Sequence, residues 1–388
     1  MAGRKKIAAV ITSYFPRSHA DVIVTKFLKG FPTDDGLLPP EVDVVSMYLD
    51  QVHFRDDIGC AIAEEFGVPM YGSINQALTL GGDELAVDGV LLIGEHGDYP
   101  WNEKEQHMYP RKYFFEQICG VFASSGRSVP VFSDKHLSYN WHDAKWMCDR
   151  ARELEVPFMA GSSLPLAWRK PWLEYALDTE IETAVSVAFG GLDSYGFHAL
   201  ETLQCMVERR AGGETGIVAV QCLEGDDVWA SDAWDRDLYA AAVAHIEAKE
   251  DGDVREHCEN PAVFLIEYAD GLTAATFMLN GYTRGWGFAA QRGGEVDNMR
   301  VFLPDNPHAH FSYLSLNIQQ MFLTGKPQYP VERTLLISGA LEALIDSRYE
   351  GYRRVETPHL DVSYRSYEEM PIRPTSPDPI GASLVPFE

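Results

Sequence analysis

Val129-Pro-Val-Phe-Ser-Asp-Lys-His-Leu-Ser138 reads as a buried strand that ends, without a glycine-rich turn, in three ionisable side chains, Asp134, Lys135 and His136. In an open α/β sheet helices cover both faces, so ligands enter where the carboxyl ends of the strands open into a crevice. Lys135 is therefore expected at the centre of a site, although an acid–lysine pair on a strand-end loop is more commonly a solvated ion pair. The flanking sequence supplies the sheet. Ile7–Ile11, Val42–Tyr48, Val87–Ile93 and Pro157–Ala160 are further apolar, β-branched runs, and between them Ser18–Leu28, Ile58–Phe66, Tyr113–Ala123 and His142–Glu155 carry apolar residues at helical spacing. Strands alternating with helices in this way predict a Rossmann-like, doubly wound parallel sheet.

The rhythm changes near residue 180. Thr183–Phe189, Gly216–Cys222, Ala262–Tyr268 and Thr273–Leu279 are strand-like, with Asp270-Gly271 as a hairpin turn between the last two. Helices are expected over His198–Arg210, Leu314–Leu323 and Leu335–Arg348. The fold class is thus α/β, with a Rossmann-like domain over 1–160, an α+β domain with an open, mostly antiparallel sheet over 161–345, and an irregular tail over 346–388.

Composition limits the partners. A chain of 388 residues with 46% hydrophobic residues and no apolar run near membrane-spanning length reads as a soluble two-domain protein. A formal charge of −26 argues against nucleic acid, because phosphate contacts need a basic surface. The N-terminus runs straight into Ile7–Ile11 with no signal-peptide pattern, and the six cysteines form no C-x-x-C pair. A cytoplasmic protein with reduced thiols and no membrane association is expected.

Several stretches resemble the Gfo/Idh/MocA family of sugar and polyol oxidoreductases, over roughly residues 5–355. Ala63-Glu-Glu-Phe-Gly-Val-Pro-Met-Tyr71 is similar to that family's "A-x-x-F-G-V-P-x-Y" segment, and Val87-Asp-Gly-Val-Leu-Leu-Ile93 to its "V-D-A-V-x-I" strand. Ser133-Asp-Lys-His136 stands where the family has "E-K-P", and Gly196-Phe-His-Ala-Leu-Glu201 matches "G-x-H-x-x-D" with glutamate for aspartate. Gly325-Lys-Pro327 and Glu342–Ser347 resemble its closing segment. The resemblance implies a substrate cleft between the two domains, a lysine contacting substrate and cofactor at Lys135, and a catalytic-region histidine at His198. It also implies a homodimer or homotetramer.

The cofactor loop departs from the family. Where G-x-G-x-x-G would stand, the chain has Thr12-Ser-Tyr-Phe-Pro-Arg-Ser-His19, without glycine. Those glycines let backbone approach a pyrophosphate, so Tyr14, Phe15 and Pro16 are expected to block it, which makes NAD(P) binding doubtful and leaves the cofactor unknown. The loop after Val87–Ile93 is rewritten as well, to Gly94-Glu-His-Gly-Asp98.

Expected catalytic groups are Lys135, His198, Glu95, His96 and Tyr195, a set of ammonium, imidazole, carboxylate and phenol able to move protons on a polyhydroxylated substrate. His198 is as readily a core histidine satisfied by backbone on its own sequence. Expected binding groups are Tyr14, Arg17, Ser18, Asp50, Asp98, Asp134, Ser162 and Arg169. Arg17 and Ser18 offer an anion the start of a helix, and Asp50 is placed to meet a ribose hydroxyl. Ser162 serves equally as a helix cap, and Arg169, with Arg111, Arg209 and Arg210, reads as a surface or interface ion pair rather than a catalytic group. Glu95, His96, His136 and Glu201 have the ligand chemistry for a divalent metal but lack a metal-site spacing. The leading expectation is a small-molecule enzyme of lyase, isomerase or hydrolase type on a sugar-derived compound. The alternatives are an NAD(P)-dependent sugar or polyol oxidoreductase with an atypical loop, and a non-catalytic binding protein.

Overall fold

The structure, a computed structural model, describes residues 3–374 and 387. Two sheets dominate it. The first is assembled from β1 (Lys5–Ile11), β4 (Val42–Leu49), β5 (Gly89–Ile93), β6 (Val131–Asp134) and β7 (Phe158–Gly161), all parallel, in the order β4-β1-β5-β6-β7. A small hairpin of β2 (Phe31–Thr33) and β3 (Gly36–Leu38) stands apart from it. The apolar runs that predicted these strands follow from burial on both faces, since a parallel sheet has helices above and below.

The helices on this sheet start and stop by local chemistry. α1 (His19–Lys29) is capped by Ser18, whose Oγ accepts from the Asp21 N–H at 3.3 Å, and ends at Gly30 with φ of 113°. α2 (Gly59–Glu65), α3 (Ile74–Thr79), α4 (Arg111–Ser125) and α5 (Trp141–Glu153) complete the set. In α5 the Asn140 side chain accepts from the Asp143 N–H at 2.9 Å.

The second sheet is built from β8 (Trp168–Lys170), β9 (Thr183–Ala188), β10 (Ile217–Glu224), β11 (Ala262–Tyr268), β12 (Thr273–Met278), β13 (Trp286–Arg292), β14 (Glu295–Phe302) and β15 (Val355–Glu356). Its order is β15-β10-β11-β12-β9-β13-β14-β8, antiparallel except where β12 meets β9. α6 (Ser194–Val207) and α11 (Glu332–Tyr349) cover one face. The segment carrying α7 (Asp226–Ala230), α8 (Arg236–Ala244) and α9 (Val254–His257) covers the other, packing Leu238, Ala242 and Ile246 against Val185, Val187 and Phe277.

Three features went beyond the sequence reading. β13 and β14 form a hairpin about Gly293-Gly294, both at positive φ, a turn signal that was legible but not used. α10 (Ala309–Thr324) returns to the first sheet, where Phe322 lies over Gly89 of β5 so closely that a Cβ there would stand 2.6 Å from its ring. α11 continues to Tyr349, and the segment after it is tied down: Val355 and Glu356 pair with β10, and the Ser366 hydroxyl donates to Glu208 at 2.6 Å. Part of the stretch expected to be irregular therefore has sheet and side-chain partners, while residues 375–386 and 388 lie outside the described residues.

Candidate active site at the carboxyl edge of the first sheet

Loops from β1, β5 and β6 meet at this edge, and α6, β13 and the start of α10 close it from the other side. Arg17, His96 and Lys135, one on each of the three loops, have φ of 67°, 66° and 62°. A left-handed backbone is uncommon for residues with side chains, and three on adjacent strand ends mean that surrounding structure over-determines the loops.

Lys135 is buried, and its ammonium lies 3.0 Å from Glu95 Oε1 and 3.5 Å from the Ser194 carbonyl. The other oxygen of Glu95 accepts from the guanidinium of Arg111, which is itself fully buried. Burial alone would raise the Glu95 carboxyl, but Lys135 and then Arg111 outweigh it, and the group is held well below the usual carboxylate range. A second guanidinium nitrogen of Arg111 lies 3.2 Å from His136 Nε2, and burial together with that charge keeps His136 uncharged. The ionic centre is thus Lys135–Glu95–Arg111, with His136 behind it.

His198, on the first turns of α6, faces the same space. Its Nδ1 lies 2.6 Å from Ser162 Oγ, which also accepts from the Leu164 N–H at 3.1 Å. With the Ser162 hydroxyl donating to His198 Nδ1, the imidazole proton sits on Nε2. Burial, and then the charge of Lys135, pushes the His198 imidazole well below its ordinary range, so it is neutral. The Ser162 N–H in turn donates to Glu201 at 2.6 Å, and the Thr334 hydroxyl donates to the other oxygen of Glu201 at 2.8 Å. Burial pushes the Glu201 carboxyl up to about 7, against the pull of Arg333.

Two cavities adjoin these groups and share His96, Lys135 and Tyr195. One, of about 250 Å³, reaches Arg17, His19, His198 and Trp286; the other, of about 240 Å³, reaches Glu95, His136 and Asp193. The imidazole of His96, between Phe15 and His19 at ring distances of 5.3 and 5.4 Å, is pushed down to about 4 by burial, with Glu95 opposing. His19 Nδ1 is 2.6 Å from Asp134 Oδ2.

Of the residues singled out in the sequence, the fold brings Glu95, His96, Lys135, Tyr195, His198 and Arg17 to the cavities, with Asp134 and Ser162 directly behind them. Ser18 is the buried cap of α1. Tyr14 is elsewhere: its ring is fully buried and its hydroxyl lies 2.6 Å from Thr25 Oγ1 beneath α1. Asp98 is exposed, its N–H donating to Gln51 at 2.7 Å. Arg169 is buried against Glu174 at 2.6 Å, away from both cavities. The surface reading of the arginines is corrected too, since Arg111, Arg209 and Arg210 are buried, each against a carboxylate. His19, Trp286, His308 and His310 line the larger of the two cavities and were missed. Only His19, the last residue of the rewritten loop, carried a signal in the sequence.

Of the four residues considered for a metal, Glu95 and His136 are engaged by Arg111, Glu201 by Ser162 and Thr334, and His96 packs between Phe15 and His19. Among the described residues no group of three or more His, Cys, Asp or Glu is placed to hold a metal ion.

No protein-family model matches the chain. No curated protein matches it. Solved structures do. GenD2 from gentamicin A biosynthesis, in complex with NAD, superposes with a TM-score of 0.59 at 16% identity, covering 92% of this chain and 97% of that one. The chain has the Gfo/Idh/MocA fold. Within it, myo-inositol 2-dehydrogenase from Lactobacillus plantarum gives a TM-score of 0.56 at 11% identity, over 91% of this chain and 99% of that one. Aldose-aldose oxidoreductase from Caulobacter crescentus, complexed with glycerol, gives 0.51 at 15% identity, over 91% and 100%.

That a Gfo/Idh/MocA fold of this arrangement is solved with NAD corrects the expectation that NAD(P) is doubtful here. The steric expectation fails at Tyr14, which is turned into the core and does not stand at the strand edge, while Phe15 packs on His96 and Phe54. Ser13 Oγ in the same loop is buried without a partner, and Asp50 stands exposed just past β4, accepting from the Tyr48 and Tyr99 hydroxyls at 2.6 and 2.7 Å. A carboxylate with two such bonds retains lone pairs for a ribose hydroxyl, the contact a dinucleotide would ask of it. Among the described residues no helix is long and apolar enough to cross a membrane.

Proposed function

We propose that this chain is an NAD(P)-dependent oxidoreductase acting on a sugar- or polyol-derived small molecule in the cleft between its two sheets. The observation that carries the reading is the pairing of two donors on one cavity: the Lys135 ammonium, held 3.0 Å from Glu95, and the neutral His198 imidazole, held through Nδ1 by Ser162. Solved dehydrogenases of the same fold support redox chemistry over the lyase, isomerase or hydrolase reading.

When bound, the nicotinamide supplies the hydride acceptor or donor. Asp50 would take a ribose hydroxyl, and the α1 N-terminus with Arg17 would face the diphosphate. The chain's own residues handle the proton. Lys135 Nζ and His198 Nε2–H converge on the oxygen of the reacting carbon, stabilising the charge that develops there. In the reductive direction the Lys135 ammonium gives its proton to that oxygen; in the oxidative direction Lys135 first releases a proton to solvent, and its neutral amine then takes the hydroxyl proton. Glu95 keeps the lysine in place and Arg111 keeps Glu95 ionised.

The test is a fluorescence titration with NAD⁺ and with NADP⁺, followed by hydride-transfer assays on inositols and aldoses. Saturable binding of one cofactor is expected, with turnover of a polyol that falls by about a thousandfold in Lys135→Met, the scale of a lost proton-transfer group. If neither dinucleotide binds saturably, the reading fails.

A further inference from the structure

A cavity larger than either of the two at Lys135 adjoins the cleft. It measures about 560 Å³ and is lined by Trp101, Asn102, Asp193, Asn260, Asn280 and Arg348, among others. Trp101, Asp193 and Ser194 line both this space and the cavity beside Glu95 and Lys135, so the two adjoin.

Its walls have a definite chemistry. Trp101 is 61% exposed, more than any other large apolar side chain among the described residues, yet it does not hang free. Its indole lies flat on His107, ring centres 4.2 Å apart at 17°, and His107 is fixed from behind by Tyr109 at 4.1 Å and by the Tyr99 carbonyl at 2.9 Å. One indole face is thus braced while the residue keeps most of its surface open. The cations of the lining are all paired: Lys104 with Asp346 at 2.5 Å, and Arg348 with two carboxylates, Glu105 at 2.7 Å and Glu224 at 2.9 Å. Asn280 holds the Gly190 carbonyl at 3.1 Å. Asp193 is 7% exposed, with one carboxylate oxygen accepting from the His107 N–H at 3.1 Å and the other, Oδ1, buried without a partner. A braced aromatic plane, side-chain amides and an unfilled carboxylate acceptor suit a neutral ring that is apolar on its face and hydroxylated at its edge. The excess of carboxylates over cations turns anionic ligands away and leaves acceptors for hydroxyl groups.

We propose that this cavity is a second carbohydrate subsite. The substrate is then a glycoside or oligosaccharide, with one ring at Lys135 and His198, the next on Trp101, and a hydroxyl of that second ring donating to Asp193. This rests on the sugar-type substrate of the reading above but not on its redox step.

The experiment compares calorimetric binding of glucose and inositol with that of cellobiose, maltose and lactose, to the full chain and to Trp101→Ala, Trp101→Phe and His198→Ala. At least one disaccharide is expected to bind more tightly than either single ring. Trp101→Ala is expected to weaken that binding about tenfold, a loss of about 1.4 kcal/mol, with single-ring affinity unchanged, and Trp101→Phe to restore most of it. Trp101 is exposed, so the variants should fold, which melting curves check. Disaccharide binding that needs Trp101 and survives in His198→Ala, even where no hydride transfer is found, upholds the subsite and refutes only the redox reading. Disaccharides binding no better than single rings, or a Trp101→Ala that alters the sedimentation coefficient and not sugar affinity, overturns the subsite in favour of a contact between copies.

Discussion

Glu95 is the side chain on which the site's electrostatics turn. Two cations share it in a dry setting, and removing one member of a buried ion cluster strands the others without water. Glu95→Gln should therefore destabilise the chain by about 3 kcal/mol or more, seen as a lower urea midpoint with unchanged slope; an unaltered midpoint would show that the cluster is hydrated. Because its folded pKa is depressed, Glu95 stabilises the fold above the ordinary carboxylate value of 4.5, and that contribution is lost as pH falls through the lower folded value. Glu201 has the opposite sign. Its folded carboxyl is pushed up to about 7 from 4.5, so the folded state holds a proton the unfolded state has released, and stability declines as pH rises across that interval. Thermal melts of Glu201→Gln between pH 4.5 and 7 should lack this decline, since the amide keeps an acceptor for Ser162 and has no charge to bury. A wild-type curve already flat over that range would contradict the assignment. At this scale Lys135 and His198 were readable from their positions in the sequence, whereas Arg111 was not: nothing local distinguishes a buried guanidinium from a surface one until its carboxylate partner is placed.

At the scale of elements, α10 shows how a segment from the second half of the chain serves the first. It packs on α1 and on the face of β5 because Gly89 leaves room for Phe322. Gly89→Ala would bring a Cβ to 2.6 Å from that ring and 2.9 Å from Ile7. Overpacking of this kind costs about 1–3 kcal/mol. The variant should show a lower melting temperature, and because His308, His310 and Phe311 at the start of α10 line the cavity, weaker dinucleotide binding too. Normal melting would mean that α10 rides freely on the sheet. The hairpin of β13 and β14 makes the complementary point about legibility. Its glycine pair was visible, but its strands are short of β-branched residues, and the reason they hold is pairing with β9 and β8 rather than propensity.

Across the whole molecule the two sheets do not have separate cores. A single cluster of buried side chains runs from Val10 and Leu92 through Phe197 to Phe264 and Leu341, joining β1 and β5 to α6, β11 and α11. A second joins Ile7 and Leu91 to Trp168 and Phe322. Urea unfolding followed by tryptophan fluorescence and by far-ultraviolet circular dichroism should therefore give coincident transitions. Two resolved transitions would show that the sheets unfold independently. Saturating dinucleotide should shift the single transition upward, by about 2.7 kcal/mol at a hundred times its dissociation constant.

What the sequence determined by itself is the order of elements: burial on both faces of a parallel strand writes a continuous apolar run, helical spacing writes the helices between, and both are local. It also placed Lys135 and His198, because a strand end and a helix start are local features as well. Which side chains of the rewritten loop stand at the strand edge was decided only in three dimensions, since a side chain's identity does not say which way it turns, and Tyr14 turns inward to Thr25. The partners of Glu95, the tautomer of His198 and the meeting of α10 with the first sheet likewise depend on contacts between residues far apart in the chain, which no local pattern records.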